Sequence, residues 1–253
     1  QQTQHGLSSQ VLQRMNEKLK AGQQVLVFMN RRGYSPLLFC HDCGWVKDCE
    51  NCDAHMTLHR KSHCVICHHC GARAAIPVKC VQCASHQLMP LGVGTEQLYD
   101  FLSQHFSDYQ TLRFDRDVVK NRHDLEQYLQ SIEQHKVDII IGTQMLAKGH
   151  HFPQLGLVVM VDGDSGFYQT DFRALERLGQ MYTQVSGRAG RAHLAGEVMI
   201  QTHLPHHPLL MTLLQQGYES FIQALLQQRQ EAFLPPYSYL ALIQKKKKNS
   251  MQV

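Results

Sequence analysis

Short apolar segments alternate with helix-like segments along most of the chain. Buried strands are predicted at residues 25–29, 88–92, 110–114, 137–141, 157–161 and 197–201, and helices at 96–105, 124–135, 172–185 and 208–230. Strands that read as continuous apolar runs and alternate with helices are typical of a parallel sheet covered on both faces. The predicted fold class is therefore α/β.

A first helix is predicted ahead of the strand at 25–29. Its apolar positions recur at helical spacing and are Val11, Leu12, Met15 and Leu19. Either Ser8 or Ser9 can cap its start, and Gly22 provides a stop.

The alternation is interrupted at residues 35–87, where cysteine, histidine and glycine dominate. We interpret this segment as an insertion with its own scaffold. Residues 1–34 and 88–205 then form the two parts of the main domain. Residues 206–253 form a helical segment and the start of a further, truncated domain, and the lysine run near the end is expected to be a solvated tail.

Composition narrows the class of protein only a little. The net charge of +4 permits nucleic-acid contact without requiring it. No apolar run is long enough for a bilayer and no signal-peptide pattern is present, so a cytoplasmic protein without a membrane partner is expected. All nine cysteines lie between Cys40 and Cys83, which favours metal binding over disulfides.

Eight of the cysteines form four CxxC pairs: Cys40/Cys43, Cys49/Cys52, Cys67/Cys70 and Cys80/Cys83. A two-residue gap lets a tight turn present both sulfurs to one ion about 2.3 Å away, and eight thiolates complete two tetrahedral zinc sites. Cys64 could replace Cys70 by pairing with Cys67. Because Gly71 can supply the positive φ of a zinc-binding turn, as Gly44 can after Cys43, Cys70 is preferred and Cys64 is treated as a bystander.

Spacing alone leaves sequential, interleaved and nested pairings open. A nested pairing places Cys40, Cys43, Cys80 and Cys83 on one ion and Cys49, Cys52, Cys67 and Cys70 on the other. We favour it because it draws the two ends of the insertion together. The nearby histidines are expected to lie at the surface or to support the ligands, and an iron–sulfur cluster is the competing metal interpretation.

Two further segments carry polar groups suited to phosphate chemistry. IIIGTQMLAKGHHFP at 139–153 places Gly142 and Thr143 at the carboxyl end of a predicted strand, the edge at which open parallel sheets bind ligands. QVSGRAGR at 184–191 places Gln184, Arg188 and Arg191 on one face if the segment is helical. Two guanidiniums beside an amide form a phosphate-recognition set.

These segments resemble motifs V and VI of the superfamily-two helicases. The eight-cysteine insertion after NRRGY at 30–34 is similar to that of the primosomal replication-restart DNA helicases in particular, and the resemblance covers residues 7–243. It implies that the sheet is RecA-like and forms the second motor lobe of an ATP-dependent helicase that moves 3′ to 5′.

The resemblance also implies individual roles. Arg191 would be the arginine finger, with Arg188 and Gln184 also at the nucleotide. Gly142, Thr143 and Lys148 would follow the DNA strand, and Gly149 would lie near the nucleotide and the lobe interface.

The implied cofactors are two Zn²⁺ in the nested arrangement, with ATP and Mg²⁺ in the complete protein. The implied partners are single-stranded and forked DNA, primosome proteins and single-strand-binding proteins.

The chain departs from the helicase pattern because it contains no GxxxxGK[ST] phosphate loop and no DExH-type acidic motif. We therefore expect a fragment that cannot hydrolyse ATP alone. The alternative is a non-motor, zinc-bearing module that binds DNA or a protein.

Overall fold

The computed structural model describes residues 3–4, 6–29, 37–40, 42–59, 62–86, 88–90, 95–115, 118–119, 121–143, 152–161, 163–164, 166–169, 171–187 and 196–241. The chain forms two compact units, Gln1–Pro205 and His206–Val253. The strands are β1 (Thr3–Gln4), β2 (Leu7–Ser8), β3 (Gln24–Phe28), β4 (Leu38–Cys40), β5 (Thr57–His59), β6 (Cys64–Ile66), β7 (Arg73–Ala75), β8 (Leu88–Pro90), β9 (Thr111–Phe114), β10 (Ile139–Gly142), β11 (Leu155–Met160) and β12 (Glu197–Ile200). The helices are α1 (Ser9–Lys20), α2 (Thr95–His105), α3 (Arg122–Glu133), α4 (Ala174–Ser186) and α5 (Pro208–Glu231).

The first unit is built on a five-stranded sheet in the order β12–β11–β3–β10–β9. Every neighbouring pair in it is parallel. All residues of β3, β10 and β11 are buried, which explains why these strands read as continuous apolar runs rather than as alternating ones. The predicted parallel sheet is confirmed.

Helices cover both faces of this sheet, as predicted. On one face, Val25 and Val27 of β3 pack in a cluster that includes Leu98 and Leu102 of α2 and the apolar stripe of α1. On the other face, the intervening Leu26 packs in a cluster with residues of α3 and α4. Successive strand residues therefore feed two separate cores, because side chains alternate across a sheet.

Two small antiparallel sheets lie within and next to the insertion: β4 pairs with β8, which follows the insertion's predicted end at residue 87, and β5, β6 and β7 form a three-stranded sheet. A strand was expected at 88–92 as part of the main alternation. The structure corrects this expectation, because β8 lies outside the five-stranded sheet and pairs Leu88 with Cys40 and Pro90 with Leu38. The start of the insertion thus pairs with the segment that directly follows its end. The four-part domain division drawn from the sequence stays a prediction.

The second unit holds α5, which matches the helix predicted at 208–230 in extent. It is interrupted at Gly217, whose φ of 87° and ψ of 178° are not helical. Side chains are buried on both sides of this break, among them Leu213 and Phe221. Across the described ranges, none of the helices combines the length and apolar character that a bilayer span requires.

The structure decides which serine caps α1. Ser8 has an extended backbone, and its hydroxyl accepts a hydrogen bond from the Val11 N–H at 3.3 Å. Ser9 is the first residue of the helix and is exposed. We expect Ser8→Ala to lower the free energy of unfolding by about 1 kcal/mol, the usual effect of losing an N-cap.

Urea unfolding followed by circular dichroism measures this change. Ser9→Ala is the matched control and should have little effect, since alanine favours a helix interior. A larger loss for Ser9→Ala than for Ser8→Ala would contradict the assignment of the cap.

Candidate metal centres and motor residues

The eight paired cysteines gather into two groups of four. The outer cluster is Cys40, Cys43, Cys80 and Cys83, and the inner cluster is Cys49, Cys52, Cys67 and Cys70. Within each group all sulfur atoms lie within 4.8 Å of one another. This is the nested arrangement.

The spacing of the sulfur atoms suits an ion with tetrahedral coordination. Cys40 and Cys83 lie 3.6 Å apart in the outer cluster, and Cys52 and Cys67 lie 3.5 Å apart in the inner one. Four sulfurs at about 2.3 Å from a central zinc are about 3.8 Å from each other. Both clusters therefore have nearly the dimensions of a zinc–thiolate site, and the insertion is a cysteine-rich zinc-binding module.

Three of the four CxxC turns share one hydrogen-bond pattern. In the first, the Cys40 N–H donates to the Trp45 carbonyl at 2.7 Å and the Gly44 N–H donates back to Cys40 at 2.9 Å. The turns that begin at Cys67 and Cys80 repeat both bonds. The repeated bonds show that each of these turns is closed by its own backbone.

Each of these turns needs a positive φ just after its second cysteine. Gly44 and Gly71 both adopt φ of +79°, as the choice of Cys70 assumed. In the fourth pair the position is taken by Ala84 at φ of 58°, a conformation that a residue with a Cβ rarely adopts. Glycine is thus a helpful but incomplete sequence signal for such a turn.

Cys64 belongs to neither cluster. It lies in β6, where it pairs with His59 and Ala75, and its sulfur is 3.3 Å from the Ser62 hydroxyl. This placement is that of a strand residue.

The thiols of each cluster differ in acidity. Burial raises the pKa of Cys67, but the N–H groups of Cys70 and His69 and hydrogen bonds with the Cys52 and Cys70 thiols together lower it to about 6. Burial likewise raises the pKa of Cys80, and the N–H groups of Cys83 and Gln82 lower it to about 7. Backbone donors and neighbouring thiols thus stabilise one thiolate in each cluster, the form that binds a metal ion.

The pKa is raised for the second cysteine of each of the first two pairs. The N–H of Trp45 lowers the pKa of Cys43, yet burial and the neighbouring thiols raise it to about 12. Cys52 behaves in the same way, with Ala54 as the opposing donor. These thiols must lose their protons when an ion binds.

Four histidines of the insertion have other partners. His59 and His68 face each other with their Nε2 atoms 2.9 Å apart, and His55 Nδ1 lies 2.6 Å from a carboxylate oxygen of Asp48. His86 Nδ1 is 3.2 Å from the Val78 carbonyl. Where the insertion is described, the two four-membered clusters consist of cysteine alone.

The structure describes three of the seven motor residues. Gly142 ends β10, and Thr143 follows it at the carboxyl edge of the sheet with 9% of its surface exposed. Gln184 is exposed near the end of α4, which stops at Ser186. The other four, Lys148, Gly149, Arg188 and Arg191, lie outside the described residues, as does the NRRGY segment. A shared helical face for Gln184 and the two arginines stays a prediction.

Two buried carboxylates at the same edge were not predicted from the sequence. Asp115 follows β9, is 1% exposed, and accepts hydrogen bonds from Thr95 at 2.8 Å and Arg113 at 2.7 Å. Asp164 lies beyond the end of β11 and is 3% exposed. An acidic residue shortly after an apolar strand was the available signal in both cases.

Solved helicase structures resemble the chain only distantly. The C-terminal domain of the DEAD-box protein Dbp5 matches 88% of this chain and 79% of its own length, with 12% identity and a TM-score of 0.36. Yeast Prp28, a DEAD-box splicing factor, gives 14% identity and a TM-score of 0.39 over 90% of this chain and 35% of its own length.

Two segments of the chain match models of known protein families. Residues 49–74 match the Cys-rich region domain of PriA DNA helicase, and residues 84–193 match the helicase conserved C-terminal domain. The sheet is therefore a RecA-like helicase lobe.

Curated relatives extend the match over nearly the whole chain. The replication restart protein PriA of Haemophilus influenzae is 50% identical over 99% of this chain, and that of Bacillus subtilis is 38% identical over 93%. The chain spans 34% and 29% of the lengths of these two relatives. It is homologous to the replication restart protein PriA and belongs to its family.

Proposed function

We propose that the chain supplies the second motor lobe and the zinc module of an ATP-dependent DNA helicase that acts in replication restart. The observation that carries the proposal is the position of the cysteine module. It follows β3 and precedes α2 within one parallel lobe. The module matches the Cys-rich region domain of PriA DNA helicase, and the lobe matches the helicase conserved C-terminal domain.

Each cysteine cluster holds one Zn²⁺, which gives two ions per chain. The sulfur spacing and the all-cysteine composition of both clusters support this count. Since zinc prefers closed tetrahedral thiolate sites when its role is structural, the ions stabilise the module and take no part in catalysis.

The motor residues act at the carboxyl edge of the sheet. Gly142 and Thr143, with Lys148, contact the DNA backbone, whereas Gln184, Arg188 and Arg191 face the nucleotide and Gly149 lies close to it. The support is the placement of Gly142 and Thr143 at the edge where open parallel sheets bind ligands. ATP and Mg²⁺ bind with the help of groups that this chain does not contain.

The complete protein moves 3′ to 5′ on single-stranded DNA and acts at stalled forks in the cytoplasm. Its partners are forked DNA, primosome proteins and single-strand-binding proteins. The relatives are known as replication restart proteins, which supports this role.

The metal count can be tested with two serine variants. We expect the purified chain to be colourless and to contain two zinc ions. Cys70→Ser should lower the content to about one ion, because it breaks the inner cluster, while Cys64→Ser should keep both. Elemental analysis of the purified proteins gives the counts.

Three results would contradict this assignment. They are a loss of zinc in Cys64→Ser, full zinc content in Cys70→Ser, and iron with visible absorbance in place of zinc.

The arginine finger can be tested in the complete protein. Arg191→Ala should lower DNA-stimulated ATP hydrolysis by a factor of about 10³ or more, because the charge that develops on the transferred phosphoryl loses its partner. Binding to forked DNA should change little. Arg122→Ala is the control, since that side chain is 90% exposed and lies on α3. Unchanged ATP hydrolysis in Arg191→Ala would favour a non-motor binding module.

The isolated chain should not hydrolyse ATP. It lacks a phosphate loop and an acidic motif for Mg²⁺, so lobe 2 alone has only part of the site. Phosphate release with and without single-stranded DNA is the measurement, and Arg191→Ala is the contamination control. Turnover that Arg191→Ala abolishes would show that this chain has a complete site.

A further inference from the structure

The zinc module meets the helicase lobe at a small aromatic contact. Phe39 of β4 is 3% exposed, and its ring lies 4.6 Å from the ring of His203, measured between centroids. Tyr168 packs against Phe39 and Val46, and its ring meets His55 at 5.8 Å. Phe39, Val46 and His55 belong to the insertion, whereas Tyr168 and His203 belong to the lobe.

His203 is held in place from the lobe side. Its Nδ1 and its backbone N–H each lie 2.7 Å from one carboxylate oxygen of Asp164. Thr202 donates its hydroxyl to the other oxygen. Asp164 is almost fully buried, and a buried carboxylate is costly unless it is hydrogen-bonded, so these donors fix the segment that carries His203.

Asp164 links the segments that follow two neighbouring strands through hydrogen bonds. It lies beyond β11, whereas Thr202 and His203 lie beyond β12. The two segments approach closely at Gly163, whose N–H donates to the Gln201 carbonyl at 3.0 Å. A Cβ on Gly163 would come within 2.5 Å of Ile200, so glycine permits this approach.

On the module side, Phe39 is adjacent to a member of the outer cluster. Cys40 follows it directly and is fully buried. Phe39 also forms a strand bridge with Val46, which lies in the segment that follows the first CxxC turn. The position of the Phe39 ring therefore depends on the same turn that presents Cys40 and Cys43 to the ion.

We propose that Phe39 and His203 form a joint that transmits the metal occupancy of the outer cluster to Asp164 and the carboxyl edge of the sheet. His203 and Asp164 are positioning residues in this joint. When zinc leaves the outer cluster, Phe39 loses its fixed position, and the ends of β11 and β12 open more often. The proposal rests on zinc binding by the cluster and does not depend on motor activity.

Amide hydrogen exchange of the 253-residue chain tests the joint, because two backbone amides within the joint report directly on how often it opens. The N–H of His203 donates to Asp164, and the N–H of Leu204 donates to the Thr202 hydroxyl at 2.9 Å. Removing zinc with a chelator should speed exchange at both amides by about 2- to 10-fold, the factor expected from losing an aromatic pair. Amides in α1 should change less.

Two variants distinguish a local effect of the joint from faster amide exchange throughout the first unit. His203→Gln keeps a donor for Asp164 and removes the ring, and it should abolish the chelator effect at residue 204. His105→Gln is the matched control, because His105 also contacts a phenylalanine ring, that of Phe101 at 5.4 Å, and its chelator effect should match wild type. An effect in His203→Gln as large as in wild type, or no effect in wild type, overturns the proposal.

If chelation unfolds the whole first unit, the joint is tested without removing zinc, by comparing a zinc-loaded variant with zinc-loaded wild type. Phe39→Leu, with two zinc ions confirmed by elemental analysis, should exchange faster than wild type at His203 and Leu204 but not in α1. Equal exchange at these amides, or equal acceleration throughout the unit, overturns the joint. Failure to bind zinc in wild type would instead refute the metal assignment and is detected separately by the same elemental analysis.

Discussion

The outer cysteine cluster is the constraint on which the insertion depends. Its members lie up to 43 residues apart in sequence, yet Cys40 and Cys83 come within 3.6 Å. The pairing of β4 with β8 brings the same two ends together by backbone hydrogen bonds. Because β4 and β8 lie side by side, more than forty residues can be inserted between them without disturbing the order of the parallel sheet.

The lobe itself is stabilised by burial on both faces of three central strands. Beyond the carboxyl ends of its strands, the sheet is followed by buried polar residues. They are Thr143 after β10, Asp115 after β9 and Asp164 beyond β11. The two buried carboxylates hold neighbouring segments in place through hydrogen bonds. The same edge therefore combines a fixed backbone with Thr143, whose hydroxyl is the type of donor that contacts phosphate oxygens.

Much of this architecture could be predicted from the sequence, because long buried strands and amphipathic helices have clear periodic patterns. The zinc-binding turns were also accessible through the CxxC spacing and through Gly44 and Gly71. The strands β5, β6 and β7 were not, since three residues are too few to show a period. The partner of β8 was missed for a different reason: pairing with β4 depends on tertiary closure and not on local pattern. Arg188 and Arg191, the most specific motor residues, stay sequence predictions.

Cadmium substitution tests the nested closure most directly. In a chain loaded with ¹¹³Cd, correlation spectra connect each metal to the Hβ protons of the cysteines that bind it. Nested closure predicts one cadmium coupled to Cys40, Cys43, Cys80 and Cys83, and a second coupled to Cys49, Cys52, Cys67 and Cys70. A cadmium coupled to both Cys40 and Cys49, or to any histidine, would contradict it.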